Sequence, residues 1–212
     1  MSSLQRDAGE TMLRVCVTGP ESTGKTTLAR GLAEWAHAEW VPEASRLYAE
    51  RKAGELLLSD VAPIAREHIR LATLGETRAR ERGATLVVLD TDLLSTVVYS
   101  RSYYGVVPRW VERAERERRA ELYLLCDIDV PWVADGIRDR PGDRVGMRKL
   151  FETALARRGA NVVQVRGGWD ERWEIATKAT SALLAIDPSR PSARRRSRSA
   201  PRFRAPAAPP AR

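Results

Sequence analysis

Nine consecutive residues, Gly19-Pro20-Glu21-Ser22-Thr23-Gly24-Lys25-Thr26-Thr27, carry the spacing G-x-x-x-x-G-K-[ST]. Glycines at 19 and 24 let the backbone curl until the N–H groups from Glu21 to Thr27 converge on phosphate oxygens. A helix opening near Lys25 adds the positive end of its dipole. The Lys25 ammonium would reach the β- and γ-phosphates of a nucleotide, and the Thr26 hydroxyl would ligate Mg²⁺. The apolar run Leu13–Thr18 precedes the loop and a helical pattern follows it, which is the context that this motif requires.

Three further segments hold side chains able to complete a phosphoryl transfer. The run Thr85–Leu89 ends in Asp90-Thr91-Asp92. A carboxylate at a strand end serves Mg²⁺ or its bound water, so Asp90 is the metal candidate. Asp92 would lie near an acceptor substrate or share the Mg²⁺ shell, and the alternative for either acid is a helix N-cap. In Val41-Pro42-Glu43-Ala44-Ser45-Arg46, Glu43 falls at the end of a short strand-like stretch, where it can accept the proton of an attacking hydroxyl. Arg46 would hold a substrate oxygen or orient Glu43; the alternative is a plain surface ion pair. The stretch Trp132–Arg144, with Arg138, Arg140 and Arg144 among Gly and Pro, reads as a lid over the transferring phosphates. Its interspersed aspartates leave a self-paired solvated loop as the other reading.

The elements that must position these residues follow from apolar patterning. Residues 13–18, 85–89, 122–128 and 161–165 are short, nearly unbroken runs rich in Val, Leu and Ile, the pattern of strands buried on both faces. A shorter strand is predicted over 39–42, closed by Pro42. Helical spacing is predicted over 25–39, 60–82, 92–100, 108–120, 146–158 and 171–186. Strand and helix alternate, so the fold class is α/β with a parallel sheet and right-handed crossovers.

Of 212 residues, 36 are basic and 28 acidic, a net charge of +8. Residues 188–212 contain eight arginines and no acid, so residues 1–187 are balanced at 28 against 28. Any pull on nucleic acid would come from this Pro/Ser/Ala/Arg segment, predicted to be disordered, and would be weak. Residues 1–12 read as a flexible N-terminus, and 13–187 as one domain. No run approaches the ~20 apolar residues of a membrane span and no secretory signal is visible. Cys16 and Cys126 are isolated in apolar runs, reading as buried reduced thiols of a cytoplasmic protein. The oligomeric state is open.

The motifs GPESTGKTTLA, PEASRLY, LDTDLLSTVVY with Tyr103-Tyr104-Gly105 after it, and DVPWVADGIRDR occur in this order. Over residues 13–185 the chain thereby resembles the ribosylnicotinamide kinase domain of NadR-type proteins, in the P-loop kinase and AAA-like ATPase group. The resemblance implies a P-loop kinase fold with a five-stranded parallel core, ATP and Mg²⁺ as cofactors, and phosphorylation of a ribose 5′-hydroxyl to give nicotinamide mononucleotide. Carried over by position, Lys25 and Thr26 are phosphate and Mg²⁺ residues. Glu43 and Arg46 match an E-x-x-R element, Asp90 and Asp92 a D-T-D element, and Arg138 the lid arginine. Pro42 stands where some members have an aromatic residue, leaving Tyr103, Tyr104 or Trp132 to stack on a base. No paired-His nucleotidyl-transfer motif is present, so no adenylyltransferase activity is expected. Other readings are a kinase of another nucleoside or nucleotide, or an ATPase or nucleotide-dependent switch without an acceptor. Against a GTPase, the sequence lacks N-K-x-D: Asn161 is its one asparagine.

Overall fold

The computed structural model describes residues 11–52, 54–131 and 143–186. Five strands form one parallel sheet: β1 (Leu13–Thr18), β2 (Glu39–Val41), β3 (Leu86–Asp90), β4 (Leu122–Cys126) and β5 (Val162–Val165). Their spatial order is β2-β3-β1-β4-β5, which puts the strand leading into Gly19 at the centre. Val15 pairs with Val88 on one side and with Leu122 on the other. Among the described residues seven α-helices flank the strands: α1 (Lys25–Ala36), α2 (Ala44–Lys52), α3 (Val61–Glu81), α4 (Leu93–Tyr104), α5 (Arg109–Glu117), α6 (Arg144–Arg157) and α7 (Trp169–Ile186).

Both faces of the sheet are covered, which is why its strands read as continuous apolar runs. Val15, Val17, Leu86, Val88, Leu122 and Leu124 pack with Leu28 and Leu32 of α1 and Trp173 of α7. The alternate residues Cys16, Val87, Leu89, Tyr123 and Leu125 pack on the other face with Leu94 and Val98 of α4 and Met147, Phe151 and Leu155 of α6. This period-two division decides which face each strand-end residue meets.

The sheet and most helices fall within a few residues of their predicted bounds, with two instructive departures. Helix α1 stops at Ala36 rather than running to 39: His37 turns left-handed at φ 53°, its N–H returning to Ala33 and Glu34 carbonyls, and the chain enters β2. Helix α2 was not expected. Only Ala44 and Ala49 of it are buried, so no large apolar residue marks its inner face. Among the described residues no helix is long and apolar enough to cross a membrane. Both cysteines are free thiols buried in the core, and burial raises Cys126 to about 11. The tail, residues 188–212, and the lid residues Trp132, Arg138 and Arg140 lie outside the described residues.

Candidate active site

Among the described residues, the candidates Lys25, Thr26, Glu43, Arg46 and Asp90 gather at the carboxyl edge of the sheet, where open parallel sheets bind ligands. The loop after β1 curls as its glycines allow. Gly19 has φ 131°, and a Cβ there would sit 2.8 Å from the Cys126 carbonyl oxygen. Gly24 has φ 79° and caps α1, with the Trp169 indole so close that a Cβ would lie 2.6 Å from it. Ser22 is left-handed at φ 51°. Inside the loop, the Thr23 hydroxyl and the Lys25 ammonium both donate to the Pro20 carbonyl, at 2.8 and 2.6 Å. Thr23 is fully buried, so its side chain braces the loop from within, whereas Thr26 and Thr27 are partly exposed. Glu21 borders a cleft with Pro20, Tyr99, Tyr103, Asp143, Arg144 and Met147.

Asp90 ends β3 facing the start of α1. It is 1% exposed; burial, and then the nearby Glu43 carboxylate, push its carboxyl up to about 6. The Thr26 hydroxyl donates to it, and Lys25 and Arg46 pull the other way. One of its oxygens, Oδ1, is buried without a hydrogen-bond partner among the described residues. Glu43 follows β2, is buried, accepts from the Ser45 hydroxyl at 2.6 Å, and has Arg46 Nε at 3.9 Å. The pairing of Glu43 and Arg46 is real, but it is not a free surface pair, because the glutamate is sunk beside Asp90. Five predicted residues, Lys25, Thr26, Glu43, Arg46 and Asp90, thus share one neighbourhood.

Asp92 lies elsewhere. Its carboxylate accepts the Leu94 N–H at 3.0 Å, capping α4, and the Tyr123 hydroxyl at 2.8 Å. The Cys16 thiol also bonds to it. Burial pushes its carboxyl up to about 6 as well. The arrangement is that of the N-cap reading, with the carboxylate turned into the core rather than toward the five-residue neighbourhood. Tyr104 donates its hydroxyl to the Leu56 carbonyl at 2.6 Å and so braces the loop after α2. Tyr103 lines the cleft beside the phosphate loop, its ring 5.7 Å from that of Tyr99. Arg144 begins α6 and donates to the Ser22 and Val130 carbonyls at 3.2 Å, linking the loop to the chain after β4.

Two residues that support the loop carry no motif. Arg172 on α7 is 1% exposed and donates to the carbonyls of Thr23 at 3.0 Å, Asp127 at 3.1 Å and Gly167 at 2.9 Å, and to the Asp129 carboxylate. Trp169 at the head of α7 packs on Gly24. An arginine inside an amphipathic helix looks like any surface charge in a sequence. Only the run of backbone acceptors around it identifies its place.

A curled glycine loop at a helix N-terminus, a lysine inside it, and a hydroxyl and a carboxylate beside it define a P-loop protein with a kinase-like fold. The AAA domain family matches residues 14–172, and the chain belongs to that family. It is 31% identical over 145 residues to the trifunctional NAD biosynthesis/regulator protein NadR of Salmonella typhimurium, and equally to that of Escherichia coli. The matched stretch is 66% of this chain and 34% of those proteins, so the chain spans about a third of their length. A crystal structure of NadR protein in complex with NR superposes with a TM-score of 0.66 at 24% identity, over 86% of this chain and 52% of that one. A thymidylate kinase from Ehrlichia chaffeensis gives 0.59 at 14% identity, over 82% and 99%.

Proposed function

We propose that this chain is a kinase that transfers the γ-phosphoryl group of ATP to the ribose 5′-hydroxyl of nicotinamide riboside, yielding nicotinamide mononucleotide. The observation that carries the proposal is the shared neighbourhood of Lys25, Thr26, Glu43, Arg46 and Asp90 at the sheet edge. The similarity to NadR and the P-loop kinase-like fold support the substrate class.

The loop amides and Lys25 hold the phosphates. On nucleotide binding Lys25 exchanges the Pro20 carbonyl for phosphate oxygens, offsetting charge on the transferring group. Thr26 and Asp90 would hold Mg²⁺: both offer hard oxygens, and one Asp90 oxygen is buried without a hydrogen-bond partner among the described residues. The ion, when bound, would neutralise phosphate charge. Glu43 accepts the proton of the 5′-hydroxyl as that oxygen bonds to phosphorus and the bond to ADP breaks. Arg46 orients Glu43 or a substrate oxygen. Tyr103, in the cleft beside the loop, is the described aromatic residue best placed for a base, with Tyr104 turned to Leu56. Asp92, predicted to lie near the acceptor or to share the Mg²⁺ shell, serves through the turn that it caps. Trp132, Arg138 and Arg140 keep their proposed stacking and phosphate roles, and Arg144 joins them from the head of α6.

Nicotinamide riboside is expected to stimulate ADP release and to appear as its 5′-phosphate. Glu43→Gln preserves shape and removes basicity; transfer should slow at least ~10²-fold while ATP–Mg²⁺ still binds. A parent protein that releases ADP at one rate with or without any nucleoside, unchanged by Glu43→Gln, is an ATPase or switch instead.

A further inference from the structure

We propose that Thr91 and Asp92 are positioning residues: a left-handed turn at Thr91, latched by Asp92 on the opposite face of the sheet, holds the Asp90 carboxylate against Thr26. This rests on the nucleotide-site reading above and assigns the D-T-D element a division of labour.

The argument starts from strand periodicity. Along β3, Leu86 and Val88 face α1, and Val87 and Leu89 face α4 and α6. Asp90 continues the α1-facing set and meets Thr26 and Lys25. A chain that stayed extended would deliver Asp92 to that same side. It does not. Thr91 has φ 66°, a conformation that strains a β-branched residue. The chain is thereby redirected, and the Asp92 carboxylate joins Tyr123 and Cys16, both members of the α4/α6-facing core.

The turn is pinned at both ends. The Thr91 N–H donates to the Val17 carbonyl at 3.0 Å, and Asp92 accepts from Leu94 N–H and Tyr123 hydroxyl. The Thr91 hydroxyl is buried with no hydrogen-bond partner among the described residues, so its own side chain does not compensate the strain. Strain of this kind persists only where the surroundings over-determine it. Such a device has a purpose here, because Asp90 is 1% exposed with its Oδ1 buried and without a hydrogen-bond partner among the described residues. Left to relax, the carboxylate would turn toward water and away from Thr26.

The experiment compares melting of the full chain with ADP, with and without Mg²⁺, for the parent, Thr91→Gly, Thr91→Asn and Tyr123→Phe. Glycine adopts either sign of φ freely, so Thr91→Gly should melt within ~3 °C of the parent in chelator, relief of strain offsetting the looser unfolded chain. Its Mg²⁺ concentration for half-maximal stabilisation should rise at least ~10-fold, the usual scale for loss of an outer support to a metal ligand. Asparagine tolerates the left-handed region, and Thr91→Asn should stay within ~3-fold of the parent. Tyr123→Phe should shift the Mg²⁺ requirement upward and leave the KM for the acceptor unchanged. A Thr91→Gly variant with the parent's Mg²⁺ requirement overturns the inference, as does a Tyr123→Phe variant altered only in acceptor KM. A parent that Mg²⁺–ADP does not stabilise overturns the nucleotide-site reading, and this inference falls with it.

Discussion

Asp90 ends a strand whose other side chains are all apolar, and it is buried beside a second carboxylate. Those surroundings have a thermodynamic consequence. Its carboxyl, pushed from an ordinary 3.8 up to about 6, holds a proton in the folded protein that the unfolded chain has already released. The stabilisation from that retained proton is therefore present below about pH 4 and is lost as pH rises through about 6. Above that range the charged carboxylate weakens the metal-free fold. Asp90→Asn should stabilise the protein in chelator near pH 8 by at most ~3 kcal/mol, and the gain should vanish below about pH 4. The same variant should lose Mg²⁺-dependent stabilisation of the ADP complex. Urea midpoints at the two pH values measure the first effect; an Asn variant less stable than the parent at pH 8 would refute it.

At the scale of elements, α7 does more than cover the sheet. Arg172 joins the phosphate loop, the chain after β4 and the turn after β5 through one buried guanidinium. Arg172→Met keeps much of the side-chain length but strands three carbonyls and the Asp129 carboxylate. Unfolding free energy should fall by roughly 3 kcal/mol, and the KM for ATP should rise as the loop loosens. A loss below ~0.5 kcal/mol in urea unfolding, the range of an ordinary surface change, would show that the loop stands without this support. Two features that the sequence did not reveal, helix α2 and the place of Arg172, have physical causes at this scale. Runs such as LVVLD and LYLLC announce buried strands because both faces are apolar, and the phosphate loop announces itself by glycine spacing. Helix α2 is silent because alanines form its buried contacts, and Arg172 is silent because its partners are backbone atoms distant in sequence. Asp92 was legible as an acid at the right place, and its cap alternative was visible too. What sequence could not convey was the sign of φ at Thr91, which sends it across the sheet.

The whole molecule divides its charge unevenly. Residues 1–187 balance 28 basic against 28 acidic residues, and the eight arginines of 188–212 carry the entire excess. The site chemistry lies between Gly19 and Arg172, within the balanced part. Two kinds of anion recognition are thereby separable. The phosphate loop takes its ligand by fixed amides and one lysine, an arrangement little affected by moderate salt because its donors are placed and partly shielded. An arginine-rich segment holds polyanions by counterion release, which weakens steeply as salt rises. A chain truncated after Asp187 should keep its melting temperature and its kcat. The full chain should bind single-stranded DNA weakly, losing roughly 300-fold in affinity between ~50 and ~200 mM salt if about six of the arginines engage phosphates. The truncated chain should show no such binding at any salt concentration. Fluorescence titration of a labelled oligonucleotide against both chains, beside the ADP-release assay, reads the two properties independently. If truncation lowers kcat or the melting temperature, residues 188–212 act on the folded body, and the division of charge into a catalytic part and a polyanion-binding part is wrong.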